Sequence, residues 1–492
     1  MHYYMIFIIT VILHKLSNAL DTTICTNDGT CECRNNNVSC TKYIQEAPFI
    51  LPNNTTTIYF VDVPITAINN NTFVNGNLQS LTWVASKIMI IDALYNCNEL
   101  QYLDLSQNNI QKLSDDTFKN CFKLEYVDLS YNQISILSDN LFSYTKMLET
   151  VKLEYNTFNI ITQNIFKENI NIKKLSIGNS NFFILAENAM SNLNKLEYLN
   201  IENSGIEYLN KSSFGDHNKN LHHILLNNCT NLKSIDNALI KSAPNIETIE
   251  LKNCGSIYSL PPNIISLKNL KSLQLFDTEI QPKCHNGWFS QWYNNKNTIV
   301  IGYQGYLQFK ENINNHDCPA KIYYFSDTNT LTLTKKGIIN CMAYGNPRPA
   351  ITWLVPGGLT FHENKEADVN IYNHPDVHNW DLKQIDNQPI LISKNGSLHI
   401  LRMLRNSIGN YTCYASNEHG NDSKIVEVHL DSGIFYNIKM NAIILGITSA
   451  MGFLILTILC CAFKLLLIRL NCIKKRSKPT EAEMETTEQN DV

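Results

Sequence analysis

The sequence predicts a curved α/β solenoid on a parallel β-sheet, then an all-β two-sheet sandwich, then one transmembrane α-helix. Three observations carry this reading. Leucine-type residues recur at steps of 24 or 25 through the middle of the chain. A cysteine, a tryptophan and a Tyr-x-Cys follow in the order of a disulfide-bridged sandwich. Close to the other end, 22 consecutive residues carry no charge.

Composition narrows the class. At about 100–200 residues per domain, 492 residues hold roughly three units. Apolar residues make up 44% and charged residues only 17%, against about a quarter in an average protein. The net charge of −4 argues against a nucleic-acid protein, which needs a concentrated basic surface. Fifteen cysteines exceed what a reduced cytosolic chain keeps and fall short of a disulfide miniprotein.

The two ends predict the compartment. Met5–Leu13 is a short apolar run followed by Ser17-Asn18-Ala19, which reads as a secretory signal over residues 1–19. Ala442–Phe463 is the uncharged run, and at 1.5 Å per residue it spans a hydrocarbon core of about 30 Å. The expected helix is 441–468, preceded by a stalk at 431–440 and followed by a cytoplasmic tail at 469–492. Lys464, Arg469, Lys474, Lys475, Arg476 and Lys478 flank its C-terminal side and only Lys439 its N-terminal side. By the positive-inside rule the chain is a single-pass type I plasma-membrane protein with an extracellular N-terminus. Ala442, Gly446 and Ala450 repeat at i+4 and form a candidate homodimer face. Cys460, Cys461 and Cys472 are candidate palmitate acceptors or ordinary membrane-helix filler.

The repeat is legible position by position. Leu100, Leu103, Leu105, Asn108 and Ile110 follow L-x-x-L-x-L-x-x-N-x-I. The pattern returns from Leu124 and Leu148, and again from Ile172, Leu196, Leu221, Ile246 and Leu270; degenerate units around Ile58/Phe60 and Leu81/Trp83 precede it. About ten leucine-rich repeats therefore occupy 54–281. Each L-x-L is a short strand whose inward side chains stack on the next rung. The Asn turns inward to satisfy backbone groups of the turn, and Ser180, Ser204, Cys229, Cys254 and Thr278 replace it later. Phe118, Phe142, Phe166 and Phe214 recur on the far side as convex filling.

A solenoid exposes its core at both ends and needs caps. Cys25, Cys31, Cys33 and Cys40 have the spacing of an N-terminal cap over 20–53, and Cys284, Trp288, Trp292 and Cys318 look like a C-terminal cap over 282–320. From Cys341 to Trp353, and again from Leu398 through Tyr411 and Cys413, the chain reads as an immunoglobulin-like I-set sandwich over 321–430. Cys341 and Cys413 bridge its sheets, Trp353 packs on the bridge and Tyr411 forms the tyrosine corner. Ser407 stands where an Asp is usual, and the stretch 354–397 is long. His362, His374 and His378 lie in it and read as solvated loop residues rather than a metal site.

Together these modules resemble the LRR–Ig cell-surface family, whose members include the Lingo, Amigo, Kekkon and netrin-G-ligand groups. The resemblance covers about residues 20–470 and does not choose a subfamily. It implies adhesion or receptor modulation at the cell surface, often in neural tissue. It also implies the cap pairings Cys25–Cys33, Cys31–Cys40 and Cys284–Cys318, although such C-terminal caps usually hold four cysteines and this one has two. Four ectodomain cysteines remain as adjacent-rung pairs, Cys97/Cys121 and Cys229/Cys254. Each pair is compatible with a disulfide and with two buried thiols.

Candidate glycan acceptors are Asn37, Asn53, Asn54, Asn70, Asn210, Asn228, Asn395, Asn410 and Asn421. Asn228 would place a sugar beside the eighth rung. The outward side chains of the third to seventh repeats include Tyr102, Asp104, Tyr126, Asp128, Lys152, Glu154, Tyr155, Tyr198 and Glu202. Aromatic anchors beside acids suit a protein ligand with a basic patch. No metalloprotease, serine-hydrolase, phosphate-loop or kinase motif appears in the sequence. We therefore expect no enzyme activity, no cofactor and no nucleic-acid partner. The favoured reading is recognition of an extracellular protein ligand or modulation of a co-receptor; the alternative is an innate immune pattern receptor that signals through a partner.

Overall fold

The computed structural model describes residues 24–25, 30–42, 47–69, 72–74, 77–94, 97–180, 182–216, 218–296, 299–303, 305–326, 330–332, 336–362, 390–400, 403, 407–431 and 433–476. The expected signal segment, Asn70, His374, His378 and the tail beyond 476 lie outside the described residues.

Ten short strands make the rungs: Thr57–Val61, Ser80–Val84, Tyr102–Asp104, Tyr126–Asp128, Thr150–Lys152, Lys174–Ser176, Tyr198–Asn200, His223–Leu225, Thr248–Glu250 and Ser272–Gln274. They pair in parallel and in chain order. The register is unshifted from rung to rung, so Leu103, Val127, Val151 and Leu175 stand over one another. All four are buried, and with the flanking leucines they form one continuous core. Each such side chain contributes about 1.5–3 kcal/mol through the apolar area it removes from water. An antiparallel hairpin, Cys31–Arg34 and Asn37–Thr41, opens the same sheet, and Val300–Ile301 closes it.

The opposite side is thin. A 24-residue turn of solenoid leaves little chain for helices, so this side holds turns, short strand pairs and one six-residue helix, Asn237–Ser242. Asp236 caps that helix by accepting from the Ala238 amide at 2.8 Å. Phe118, Phe142 and Phe166 stack here with ring centroids 5.8 and 5.9 Å apart, and Phe214 is buried beyond them.

A hydrogen-bonded ladder runs beside the strands. Asn132 Nδ2 donates to the Leu105 and Leu129 carbonyls, each at 3.0 Å, while its Oδ1 accepts from the Ile110 amide at 3.0 Å. Asn108 and Asn156 repeat this pattern. Later rungs use shorter groups: Cys229 Sγ donates to Ile201 O at 3.3 Å, Cys254 Sγ to Leu226 O at 3.0 Å and Thr278 Oγ1 to Leu275 O at 3.0 Å. The residue just before each ladder position is left-handed: Gln107, Tyr131, Tyr155, Asn179, Asn203, Asn228, Asn253 and Asp277 all have φ between 51° and 57°.

Five disulfides are present among the described cysteines. Cys25–Cys33 and Cys31–Cys40 hold the N-terminal cap, Cys97–Cys121 joins two rungs, Cys284–Cys318 holds the C-terminal cap and Cys341–Cys413 bridges the sandwich. Cys229 and Cys254 are free and buried. The adjacent-rung pairs therefore differ: one is bridged, the other keeps both thiols.

The C-terminal cap packs Gly287–Lys296 against Tyr306–Asn314, with Phe289 and Phe309 rings 5.8 Å apart. Cys318 ends the cap and also begins strand Cys318–Phe325, which pairs with Cys341–Asn346 of the sandwich. Tyr344 of the sandwich joins the solenoid's core, and a Cβ on Gly287 would overlap its ring. The two domains therefore share packing as well as a disulfide. In the sandwich Trp353 is fully buried and donates to Gly396 O at 2.8 Å. Tyr411 donates to Ser407 O at 2.8 Å, so the corner forms through a backbone carbonyl that Ser supplies as well as Asp would. Burial pushes the Tyr411 hydroxyl up to about 12.

After the last strand ends at Asp431, a helix runs from Gly433 to Arg476. The expected stalk is thus mostly its first turns. Lys439–Leu470 is long and apolar enough to cross a membrane, with mean hydropathy 2.5. Ala442, Gly446, Ala450, Cys460 and Cys461 lie on it, exposed; Cys472 falls in its last turns, where side chains are outside the description.

Candidate ligand-binding face

Strand alternation sends every second side chain away from the core, and on the third to seventh rungs these outward groups interact with one another. Tyr102 and Tyr126 stack at 4.4 Å with an interplanar angle of 7°. Lys152 Nζ stands 5.4 Å from the Tyr126 ring centroid and 3.3 Å from Asp128 Oδ2. Tyr126 donates its hydroxyl to the same carboxylate at 3.1 Å. One stack, one cation and one carboxylate thus form a connected unit on three consecutive rungs.

Asp128 sits differently from the open acid that the sequence suggests. It is only 6% exposed, and its Oδ1 accepts from the Ser130 amide at 3.0 Å and from the Ser130 hydroxyl. Asp104 likewise accepts from the Ser106 amide at 2.9 Å. Both carboxylates close the Asp-x-Ser turns that leave their strands. Asp128 therefore orients Tyr126 and Lys152, and the groups that remain for a ligand are the aromatic faces and the ammonium.

The electrostatics follow from this packing. Burial pushes the Tyr126 and Tyr102 hydroxyls above their ordinary range, with neighbouring carboxylates adding to the effect. Burial works against the Lys152 ammonium, but the Tyr126 and Asp128 oxygens outweigh it and hold the group protonated further above its usual range. Burial also raises Glu154. Tyr198 is raised first by burial and then by Glu202.

Tyr155 lies one step outside the strand face. It occupies the left-handed corner of its rung and stacks on Tyr131 at 4.1 Å, in the same corner one rung earlier. Tyr131 was the aromatic that reading the strands alone omits; its position 24 residues before Tyr155 is the signal. The two tyrosine stacks meet at the fourth rung, one on the strands of the third and fourth rungs and one in the corners of the fourth and fifth. Beyond them, on the sixth rung, Ser176 and Gly178 follow the exposed Lys174, and a Cβ on Gly178 would come within 2.6 Å of the Glu202 carbonyl oxygen. Glu202 is joined to Glu250 through Asn227, whose amide donates to both, at 2.8 Å to Glu250. The candidate residues thus form two groups: Tyr102, Asp104, Tyr126, Asp128, Lys152, Glu154 and Tyr155 at one end, Tyr198 and Glu202 at the other.

All the described glycan acceptors are exposed. Asn228 sits in the left-handed corner of the eighth rung, its Oδ1 accepting from Asn253 at 2.7 Å. Asn54 already donates its amide nitrogen to Asn36 at 3.0 Å. Asn395 lines a cleft of about 490 Å³ where the C-terminal cap meets the sandwich, together with Trp292, Tyr323, Met342, Arg348 and Lys394. Among the described residues no cluster of three His, Cys, Asp or Glu side chains could hold a metal ion, and His362 Nδ1 lies 2.9 Å from Thr352 Oγ1.

Comparison with known proteins matches the two modules separately. A leucine-rich-repeat model matches residues 98–158, and a BspA-type leucine-rich-repeat model, in six copies, matches 135–271. A VEGFR-1-like immunoglobulin-domain model matches 320–432. Among curated proteins, immunoglobulin superfamily member 10 of Rattus norvegicus is 34% identical over 88 residues, 18% of this chain and 3% of that protein. The cell adhesion molecule Dscam1 of Drosophila melanogaster is 33% identical over 105 residues, 21% of this chain and 4% of that protein. The matched segments are thus a few per cent of these relatives' length. Among solved structures, a chain of an octameric complex of Latrophilin 3, Unc5D and FLRT2 aligns over 56% of this chain and 92% of its own, at 20% identity and TM-score 0.44.

Proposed function

We propose, from the premise that the chain belongs to the LRR–Ig cell-surface family, that it is a type I plasma-membrane recognition protein. It acts by binding rather than catalysis: the outward strand face of the solenoid takes an extracellular protein, or holds a neighbouring receptor, while the immunoglobulin domain sets that face off the membrane. The cations that follow the apolar helix support a cytoplasmic tail.

The observation that carries this reading is the Tyr102–Tyr126–Lys152–Asp128 unit. Its rings are locked by stacking and by Asp128, so little side-chain freedom is lost when a partner docks. Stacked tyrosines beside a fixed cation match the composition of interface hot spots, each costing about 2 kcal/mol or more when truncated. Such a face suits a protein partner that offers an aromatic or apolar anchor with an acidic neighbour for Lys152.

The full chain displayed on cells, screened against a panel of cell-surface ectodomains, tests this. Paired Tyr102→Ala and Tyr126→Ala substitutions should weaken the bound partner at least about 30-fold, the equivalent of 2 kcal/mol. Tyr414→Ala on the sandwich should leave it unchanged. Equal binding by the tyrosine variant would remove the strand face from the reading, and retention of microbial polymers in place of any protein would replace the partner class.

A further inference from the structure

After the left-handed corner, seven of the ten rungs add a two-residue strand and two more add a single bridge, giving a second column along the solenoid. Ile90–Ile91, Lys112–Leu113, Ile160–Ile161 and Ile184–Leu185 are members, and Ile136 joins the column by bridging to Lys112. The second residue of each strand turns inward, as Ile91, Leu113 and Ile161 do. The first turns out. That outward position has no structural need of an apolar group, since the same column carries Lys112 at the third rung and Ser234 and Ser259 at the eighth and ninth. Yet from the second to the sixth rung it is isoleucine at every other place. Ile90, Ile136, Ile160 and Ile184, with Met89 and Phe183 beside them, are each between 37% and 67% exposed.

We infer that this stripe is the contact surface for a second copy of the chain, paired antiparallel about a two-fold axis at Ile136. Three observations select that occupant. The first is area: six large side chains, each roughly half exposed, present on the order of 500 Å² of apolar surface, near the upper end of what a monomer shows. That is most of the ~800 Å² each partner brings to a standard interface.

The second is the arrangement along the column. Rungs rise by about 4.8 Å, and a two-fold axis at the fourth rung superposes the second on the partner's sixth. Met89 and Ile90 then meet Phe183 and Ile184, Lys112 lies beside Ile160 with its ammonium at the rim, and Ile136, the most exposed of the six, meets itself. An isologous contact requires such self-complementarity.

The third is sugar. No N-x-S/T acceptor falls between Asn70 and Asn210 in the sequence, so these rungs are bare, and Asn210 bounds the stripe at the seventh rung beside Tyr208. The outward strand face, with its Tyr102–Tyr126 stack, stays free in such a pair, so the pairing is independent of the ligand proposed above.

The test uses the full chain in cell membranes, with Cys460→Ala, Cys461→Ala and Cys472→Ala to remove the membrane thiols. A cysteine on a two-fold axis meets its own copy, so Ile136→Cys should give a disulfide-linked dimer on mild oxidation. Lys112→Cys alone should not cross-link, whereas Lys112→Cys mixed with Ile160→Cys should. Separately, Ile136→Asp should lower the dimer fraction at least ten-fold in single-molecule counting with surface expression unchanged, because the side chain is solvent-facing. A correctly displayed Ile136→Cys chain that stays uncross-linked overturns the proposal. So does cross-linking of Ile136→Cys to a different protein, equal cross-linking by Lys112→Cys alone, or a dimer that survives Ile136→Asp and is lost on Gly446→Leu.

Discussion

The two halves of the solenoid use asparagine in different places. In the third to fifth rungs it points inward, as Asn108, Asn132 and Asn156, and the left-handed corner before it is Gln107, Tyr131 or Tyr155. From the sixth to the ninth rung the inward slot shrinks to Ser180, Ser204, Cys229 and Cys254, while asparagine moves one residue back to the corner as Asn179, Asn203, Asn228 and Asn253. The exchange separates two demands. An inward amide satisfies carbonyls of two successive rungs at once, whereas a hydroxyl or thiol satisfies fewer. A corner asparagine tolerates positive φ, whereas tyrosine there is strained by about 1–2 kcal/mol per residue. The first half therefore has the stronger ladder and the strained corner, and its strained corner is the one that carries aromatic rings.

The largest expected effect lies in the ladder. Asn132→Ala removes bonds to three carbonyls, which keep Asn108, Asn156 and the Gln107 amide as donors, and strips the buried Ile110 amide of its acceptor; it should lower stability by about 4 kcal/mol. Ser204→Ala, the same cut in the second half, should cost only about 1 kcal/mol. Thermal unfolding of the full chain in micelles measures both, and equal losses would erase the distinction between the halves.

A smaller effect separates the cysteine pairs. Cys97–Cys121 closes a 24-residue span between rungs, and replacing both with Ser should cost about 3 kcal/mol in the same assay. Cys97 and Cys121 occupy the turn ahead of the strand, where Thr145 and Asn169 follow them on later rungs. Cys229 and Cys254 occupy the ladder slot, where each thiol is engaged by a backbone carbonyl.

The least perturbing test is chemical. Burial raises both ladder thiols and pushes Cys254 up to about 12, and only the thiolate alkylates. At pH 8 the Cys254 thiolate is then on the order of one part in ten thousand, so native protein should take no label at either site and unfolded protein should label both. Raising the pH to 9 gains a tenfold larger fraction that is still negligible. Label at Cys254 in the native state, read by peptide mass, would show that the ladder opens.

The rungs were legible because period and pattern are set by the same physics: an L-x-L that must stack cannot drift. The inward Ser, Cys and Thr of the later rungs were legible for the same reason. What escaped was anything decided between rungs. Asp128 sits at an outward strand position, yet the turn to Ser130 and the neighbours Tyr126 and Lys152 enclose it. The corner residues have no shared chemistry in sequence, since Gln107, Tyr131 and Asn203 look unrelated until their backbone is seen. The isoleucine stripe is hidden in the sequence because Ile136 and Ile160 each sit directly before an inward apolar residue, Leu137 and Ile161, and an apolar pair does not show which member faces out.

Cys318 has a mechanical consequence. Tension from the membrane helix enters the sandwich at its last strand, which pairs with the Cys413 strand, and must leave through the strand that Cys318 begins. That residue is covalently tied to Cys284, so a pull cannot peel the C-terminal cap from the solenoid one strand at a time. Within the sandwich, Cys341–Cys413 spans 72 residues, so the chain between them cannot pay out under load. Sandwich and solenoid are thus joined in series by a covalent link, and a pull on one is passed to the other through Cys318 and Cys284.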